Sequence, residues 1–287
     1  MRPHIILLLG LLACNKEPRQ TSPAPAPVVE DDAGAVPASP AQPGLLTEAE
    51  FKAMHELKAE GDERLTGESI TLSDGRTVYL SRPEDAVAGG PAVLVVHEWW
   101  GLNKHIKLWA DRLAADGYTA LAVDIYDGKV GTSADEAMTL MKAVDEEAAE
   151  AHLQAAHTYL REDPAIQASR VGSIGWCFGG SWSLRAGLIL PLEATVIYYG
   201  RLQTVPAQLA SLNHPVLGIF GKQDAGIPLD SIRAFEEARP ATTPLTIHIF
   251  DAAHAFANPS SQRYNQAAAE EAWSKTQAFL RDHLKAR

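Results

Sequence analysis

Residues 92–97, Ala-Val-Leu-Val-Val-His, form an almost unbroken apolar run of strand length. A strand that is apolar on both sides must be covered on both faces, the habit of parallel strands inside a layered α/β domain. Similar strand signals return at 119–125, 170–176, 194–200, 215–221 and 245–250. Between them, apolar residues recur at helical spacing over about 104–116, 134–161, 181–189 and 230–238, with a short helix at 206–211 and a final one over 266–285. Upstream, 68–72 and 77–81 flank Ser73-Asp74-Gly75-Arg76, and Asp-Gly between two such runs is a hairpin signal. The sum is a mostly parallel eight-stranded sheet with helices on both faces, preceded by a hairpin, in the α/β class. No internal repeat is present.

The segment before this pattern is different in kind. Met1-Arg2-Pro3-His4 leads into the short apolar run 5–13 and then Cys14. A run of that length is too short to span a bilayer of about 30 Å as a helix. Its layout is that of a secretory signal, and Leu11-Leu12-Ala13-Cys14 resembles a bacterial lipobox, in which the cysteine is lipidated. Residues 15–44 are rich in Pro and Ala, including Pro23-Ala24-Pro25-Ala26-Pro27, and read as a disordered spacer. The expected organisation is therefore a signal with lipobox at 1–14, a linker at 15–44 and an α/β domain at 45–287, opening with a helix over about 45–60. The product is expected to be an exported lipoprotein anchored to the cell envelope, with the lipid as its only link to a membrane, and to act as a monomer.

With 25 Lys and Arg against 36 Asp and Glu, the chain carries a formal charge of −11 and no electrostatic footprint for nucleic acid. It has no Cys/His cluster of metal-binding type. Its two cysteines, Cys14 and Cys177, stand in contexts too different to suggest a disulfide.

Active sites of open α/β sheets collect beyond the carboxyl ends of the strands. Glu98, Cys177, Asp224 and His254 each fall at or just past such an end. Cys177 lies in Gly175-Trp176-Cys177-Phe178-Gly179-Gly180, the nucleophile-elbow pattern of the α/β-hydrolase fold with Cys in place of Ser. The glycines make room for a sharp strand-to-helix turn, and the helix N-terminus favours a thiolate. Nucleophile, acid and His also follow in the α/β-hydrolase order. His254 is the expected general base and Asp224 the acid that orients it, with Asp251 a weaker competitor. Glu98, between an apolar strand and Trp99-Trp100, is expected to be partly desolvated. The backbone N–H groups of Trp99 and Phe178 are the expected oxyanion hole, and Trp100 and Tyr126 are candidates for the pocket wall. Each residue has a plainer alternative: a buried structural cysteine, a turn-forming Asp, a solvent-facing Glu, core aromatics.

Four segments, residues 97–103, 175–180, 221–224 and 253–256, together resemble the dienelactone hydrolase family. The resemblance extends over about 68–284. It implies a Cys–His–Asp triad at Cys177, His254 and Asp224, a glutamate at Glu98 that helps deprotonate the cysteine when substrate binds, hydrolysis of esters or lactones through a thioester, and no cofactor. The best-known member binds its substrate carboxylate with two arginines. Their positions fall near Lys129 and at Asn258, which makes both candidate substrate contacts and points to a less anionic substrate than dienelactone. Two other functions fit the same residues: a non-catalytic ligand-binding surface lipoprotein, or a thioesterase or acyltransferase on the same triad. A further expectation is that Cys177 rests as a protonated thiol until substrate arrives.

Overall fold

The computed structural model describes residues 48–53 and 63–285. The lipobox with Cys14, the linker at 15–44 and most of the helix expected over 45–60 lie outside the described residues. Of that helix, α1 (Glu48–Ala53) is described.

The eight expected strands all form. They are β1 (Glu68–Thr71), β2 (Thr77–Ser81), β3 (Pro91–Val96), β4 (Thr119–Val123), β5 (Arg170–Trp176), β6 (Ala194–Tyr198), β7 (Val216–Gly221) and β8 (Leu245–Phe250). Their order is β1-β2-β4-β3-β5-β6-β7-β8. The pairs β1–β2 and β2–β4 are antiparallel and all others parallel. This is the eight-stranded α/β-hydrolase sheet. Burial explains the sequence pattern: β4, β6 and β7 are buried at every position, whereas the edge strand β8 is only partly covered, with Thr246 and Ile249 exposed.

The helices are α2 (Lys104–Ala115), α3 (Ala134–Lys142), α4 (Glu146–Glu162), α5 (Phe178–Ile189), α6 (Pro206–Leu209), α7 (Leu229–Ala238) and α8 (Gln266–Leu284). On one face, α2 and α8 pack Ile106, Trp109, Leu113, Trp273 and Leu280 against Val93, Val95, Ile174 and Val196. On the other, α4 and α5 pack Leu153, Leu160, Trp182 and Ala186 against Leu94, Val96, Leu121 and Val171. No described helix is long and apolar enough to cross a membrane.

Two expectations about helices need correction. The single helix over 134–161 is two helices. Asp145 caps the second, its side chain accepting from Ala148 N at 3.1 Å, and the acidic pair Glu146-Glu147 follows in the first turn, where the helix dipole favours it. The apolar spacing runs through this break, which hides it. Helix α5 begins at Phe178 rather than 181. Gly179 and Gly180 look like turn residues, but they lie inside the first helical turn.

Candidate active site

Strand β5 delivers Cys177 into the turn before α5. Its backbone sits at φ 55°, ψ −119°, a conformation that costs energy for any residue with a Cβ. Two glycines make the turn possible. A Cβ on Gly175 would lie 2.0 Å from Gly179 O, and one on Gly179 would lie 2.3 Å from Val96 O. The strand, the elbow and the helix therefore approach to backbone contact. Cys177 N donates to Tyr198 O at 3.0 Å, tying the elbow to β6. Phe178 is the first residue of α5, so its N–H is one of the donors that a helix leaves without an intrahelical acceptor. The cysteine itself is buried.

Asp224 follows β7 and His254 follows β8. His254 Nδ1 donates to Asp224 Oδ2 at 2.6 Å. The other carboxylate oxygen, Oδ1, accepts from Gly226 N at 2.8 Å and Ile227 N at 3.2 Å, which fixes the acid in its own turn. Nδ1 is thereby committed to the acid, and Cys177 acts on the same ring. Burial pushes the His254 imidazole down. The facing Cys177 and the Asp224 carboxylate more than offset that and hold it up at about 10. Asp251, the competitor, is exposed and accepts from Gln223 Nε2 at 2.9 Å.

Glu98 is buried just past β3. Its Oε2 accepts from Asn258 Nδ2 at 2.6 Å, and its Oε1 has no hydrogen-bond partner among the described residues. Burial raises its carboxyl to about 7, against opposing pulls from His254 and the Asn258 hydrogen bond. Asn258 is held in turn by Ser260, whose N and Oγ both donate to Asn258 Oδ1, at 2.8 and 2.7 Å. That leaves the amide nitrogen to face Glu98.

Beneath Glu98, His97 locks two strand ends together. Ile125 N donates to His97 Nε2 at 3.0 Å, so Nδ1 carries the proton and donates to Glu98 O at 2.6 Å. Burial holds this ring neutral by lowering its pKa.

Trp99 and Trp100 are buried under Ala137 and Met138 of α3. The ring of Tyr126 lies 5.6 Å from Phe178 and 4.6 Å from His97. Its backbone is set by Asp124, which accepts from Tyr126 N at 2.9 Å and Gly128 N at 2.7 Å. Lys129 stands exposed on the loop beyond, and no described contact joins it to Glu98, Cys177 or His254. Asn258 spends its amide on Glu98.

Among the described residues, five non-glycine residues have positive φ: Asp127, Gln167, Cys177, Tyr199 and Ala255. All but Gln167 lie just beyond the carboxyl ends of β4, β5, β6 and β8, so backbone strain gathers where the chemistry-bearing side chains gather. Sequence reasoning missed three residues here: His97, Ser260 and Tyr199. His97 and Tyr199 look like the last residues of apolar strands, and Ser260 like an ordinary loop serine.

Each side chain of the cluster is buried, and open cavities lie elsewhere. One of about 280 Å³ is lined by Trp182, Arg185 and Arg201, and another of about 580 Å³ by Asp251, Arg263 and Tyr264.

The family model of the dienelactone hydrolase family matches residues 77–284. Protein usf of Aquifex pyrophilus is 30% identical over 217 residues, covering 72% of this chain and 93% of that protein. The carboxymethylenebutenolidase of Pseudomonas putida is 30% identical over 225 residues, covering 75% and 95%. Among solved structures, a dienelactone hydrolase-like promiscuous phosphotriesterase from metagenomic libraries superposes with a TM-score of 0.67 at 25% identity, covering 76% of this chain and 98% of that one.

Proposed function

The chain belongs to the dienelactone hydrolase family, and from that premise we propose that it cleaves a carboxylic ester or lactone with Cys177 as nucleophile, His254 as acid–base and Asp224 as orienter. The observation that carries this reading is the Cys177–His254–Asp224 arrangement: a strained elbow cysteine facing an imidazole whose other nitrogen donates to a buried carboxylate at 2.6 Å.

In the proposed mechanism the Cys177 thiol proton passes to His254 Nε2. The sulfur attacks the carbonyl carbon, and the resulting oxyanion takes hydrogen bonds from the backbone N–H groups of Trp99 and Phe178. The carbon–oxygen ester bond then breaks. The leaving alkoxide takes the proton from His254, and the acyl group remains on Cys177 as a thioester. In a lactone, alkoxide and acyl group are ends of one molecule. Water, deprotonated by His254, then attacks the thioester, and the thiolate leaves and regains its proton. Glu98, near neutral pKa and with one oxygen open, exchanges a proton with this site when substrate arrives.

The exposed position of Lys129 and the commitment of Asn258 to Glu98 favour a neutral acyl group over a carboxylate-bearing one. The test is a panel of lactones and p-nitrophenyl esters, wild type against Cys177→Ala. Wild type should exceed the variant by at least about a thousandfold. Equal rates would end the proposal. Added thiol or alcohol acceptors separate hydrolysis from acyl transfer by product. The lipobox reading of Cys14 joins the same proposal: Cys14→Ser should abolish lipid labelling, and unchanged labelling would reject it.

A further inference from the structure

Tyr199 packs against His254 and lies within electrostatic reach of Glu98, Cys177 and Asp224, yet has no place in the chemistry just described. It follows the last residue of β6, fully buried, with φ at 37°. A bulky residue rarely adopts that conformation unless its surroundings force it. They do so here: Tyr199 N donates to Ile219 O at 2.8 Å, and Gly200 next to it lies against the backbone of Gly180 and Ser181. The ring lies 5.1 Å from the imidazole of His254 and 5.6 Å from Phe256.

A phenylalanine would make the same wall. What the tyrosine adds is a hydroxyl, and that hydroxyl has no hydrogen-bond partner among the described residues. The neighbouring Tyr198, equally buried on the other side of the chain, shares a 2.6 Å hydrogen bond with Thr276. Leaving a buried hydroxyl unpaired costs stability, so an open one beside a reacting cysteine calls for a partner that comes with the substrate. Burial, and then the negative charge of Glu98, Cys177 and Asp224, hold the phenol far above its ordinary pKa, so it remains a neutral donor.

Tyr199 also has a counterpart. The Tyr126 hydroxyl is the other buried tyrosine oxygen without a partner among the described residues. Tyr126 follows β4 and Tyr199 follows β6, and in the sheet order β4-β3-β5-β6 the β5 elbow with Cys177 lies between them. Two phenol donors therefore flank the nucleophile, and the charge of Cys177 acts on both.

We propose that Tyr199 is a specificity-determining residue whose hydroxyl donates to an oxygen of the acyl group close to the reacting carbonyl. The preferred substrates are then esters or lactones of oxygen-substituted acids rather than of plain alkanoic acids. This rests on the hydrolase reading above.

The experiment compares p-nitrophenyl methoxyacetate with p-nitrophenyl butyrate, acyl chains of equal length in which an oxygen replaces one methylene. In Tyr199→Phe, the methoxyacetate-to-butyrate ratio of kcat/KM should fall by roughly tenfold, butyrate being affected less. The melting temperature should be no lower than that of wild type, because an unpaired buried hydroxyl has been removed. The ratio cancels the intrinsic reactivity of the two esters, since both proteins meet the same pair. An unchanged ratio, whether both rates fall or neither does, overturns the proposal. Wild type alone gives a second check. It should prefer methoxyacetate by more than the ratio of the two hydroxide-catalysed rates, and failure to do so also overturns it. If Cys177→Ala matches wild type on both esters, it is the hydrolase reading that has failed.

Discussion

Asn258 donates from Nδ2 to Glu98 Oε2 across 2.6 Å, joining residues 160 positions apart in a buried pair. Because Ser260 fills the Asn258 carbonyl, the amide has one orientation, and the carboxylate is held by a neutral donor. A hydrogen bond to the ionised form lowers a carboxyl pKa, here against the larger raising effect of burial. Removing it in Asn258→Ala moves the Glu98 pKa above about 7. If the carboxylate is the active form, the acid limb of the kcat/KM profile moves to higher pH by roughly one unit. Asn258→Asp should move it further, since two carboxyls would share one buried space. A profile with an unmoved acid limb would show that Glu98 does not set it.

Glu98 also makes a stability prediction. Its folded-state pKa of about 7 lies above the ordinary 4.5, so the folded state binds that proton more tightly than the unfolded state does. Below pH 4.5 both states are protonated and the burial carries no ionisation penalty. Between 4.5 and 7 the unfolded state ionises first, so stability falls as pH rises, and above 7 the loss is complete. Glu98→Gln removes the titration while keeping an acceptor for Asn258. At pH 8 the variant should be more stable by up to about 3 kcal/mol, a rise of several degrees in Tm, and at pH 4 it should equal wild type. Activity should fall in the same variant. A Tm difference that does not depend on pH would mean that the carboxyl titrates near its ordinary value.

Asp224→Asn tests the orienting carboxylate. The variant loses the negative charge that helps hold His254 at about 10, and the asparagine can present a donor to Nδ1 and favour the wrong tautomer. kcat should drop by about a thousandfold or more. The resting-thiol expectation has its own test: iodoacetamide should alkylate wild-type Cys177 slowly near neutral pH, and alkylation as rapid as for an activated thiolate would count against it.

The sheet was legible in the sequence because burial on both faces leaves continuous apolar runs, as in β3, β4 and β7. The positions of Cys177, Asp224 and His254 were legible because each breaks such a run at its carboxyl end. What could not be read were contacts that depend on three-dimensional approach. Nothing in the sequence joins Asn258 to Glu98. Tyr199 reads as one more aromatic in a buried strand until its backbone turns at φ 37° and its hydroxyl has no hydrogen-bond partner among the described residues. The break at Asp145 was hidden for the opposite reason, since a local cap is a weaker signal than the apolar spacing that runs across it.

Glycines at two positions separate backbone strain from steric exclusion. Gly75, in the β1–β2 hairpin, has φ +82°, and a Cβ added there would meet nothing within 4 Å. Gly75→Ala therefore costs only the left-handed backbone, about 1 kcal/mol, and should lower Tm by a few degrees at most. Gly179 is helical, so its backbone suits alanine, but its Cβ would sit 2.3 Å from Val96 O and 2.4 Å from His97 O. Both obstacles are main chain at the end of a central strand, and neither can move without displacing Glu98 and the elbow together. Gly179→Ala should then give little soluble protein, or a protein whose Tm falls by more than about 10 °C and whose esterase activity is lost with it. A Gly179→Ala protein that keeps both would mean that α5 can shift away from β3, and the close approach of strand and helix would no longer account for the glycine.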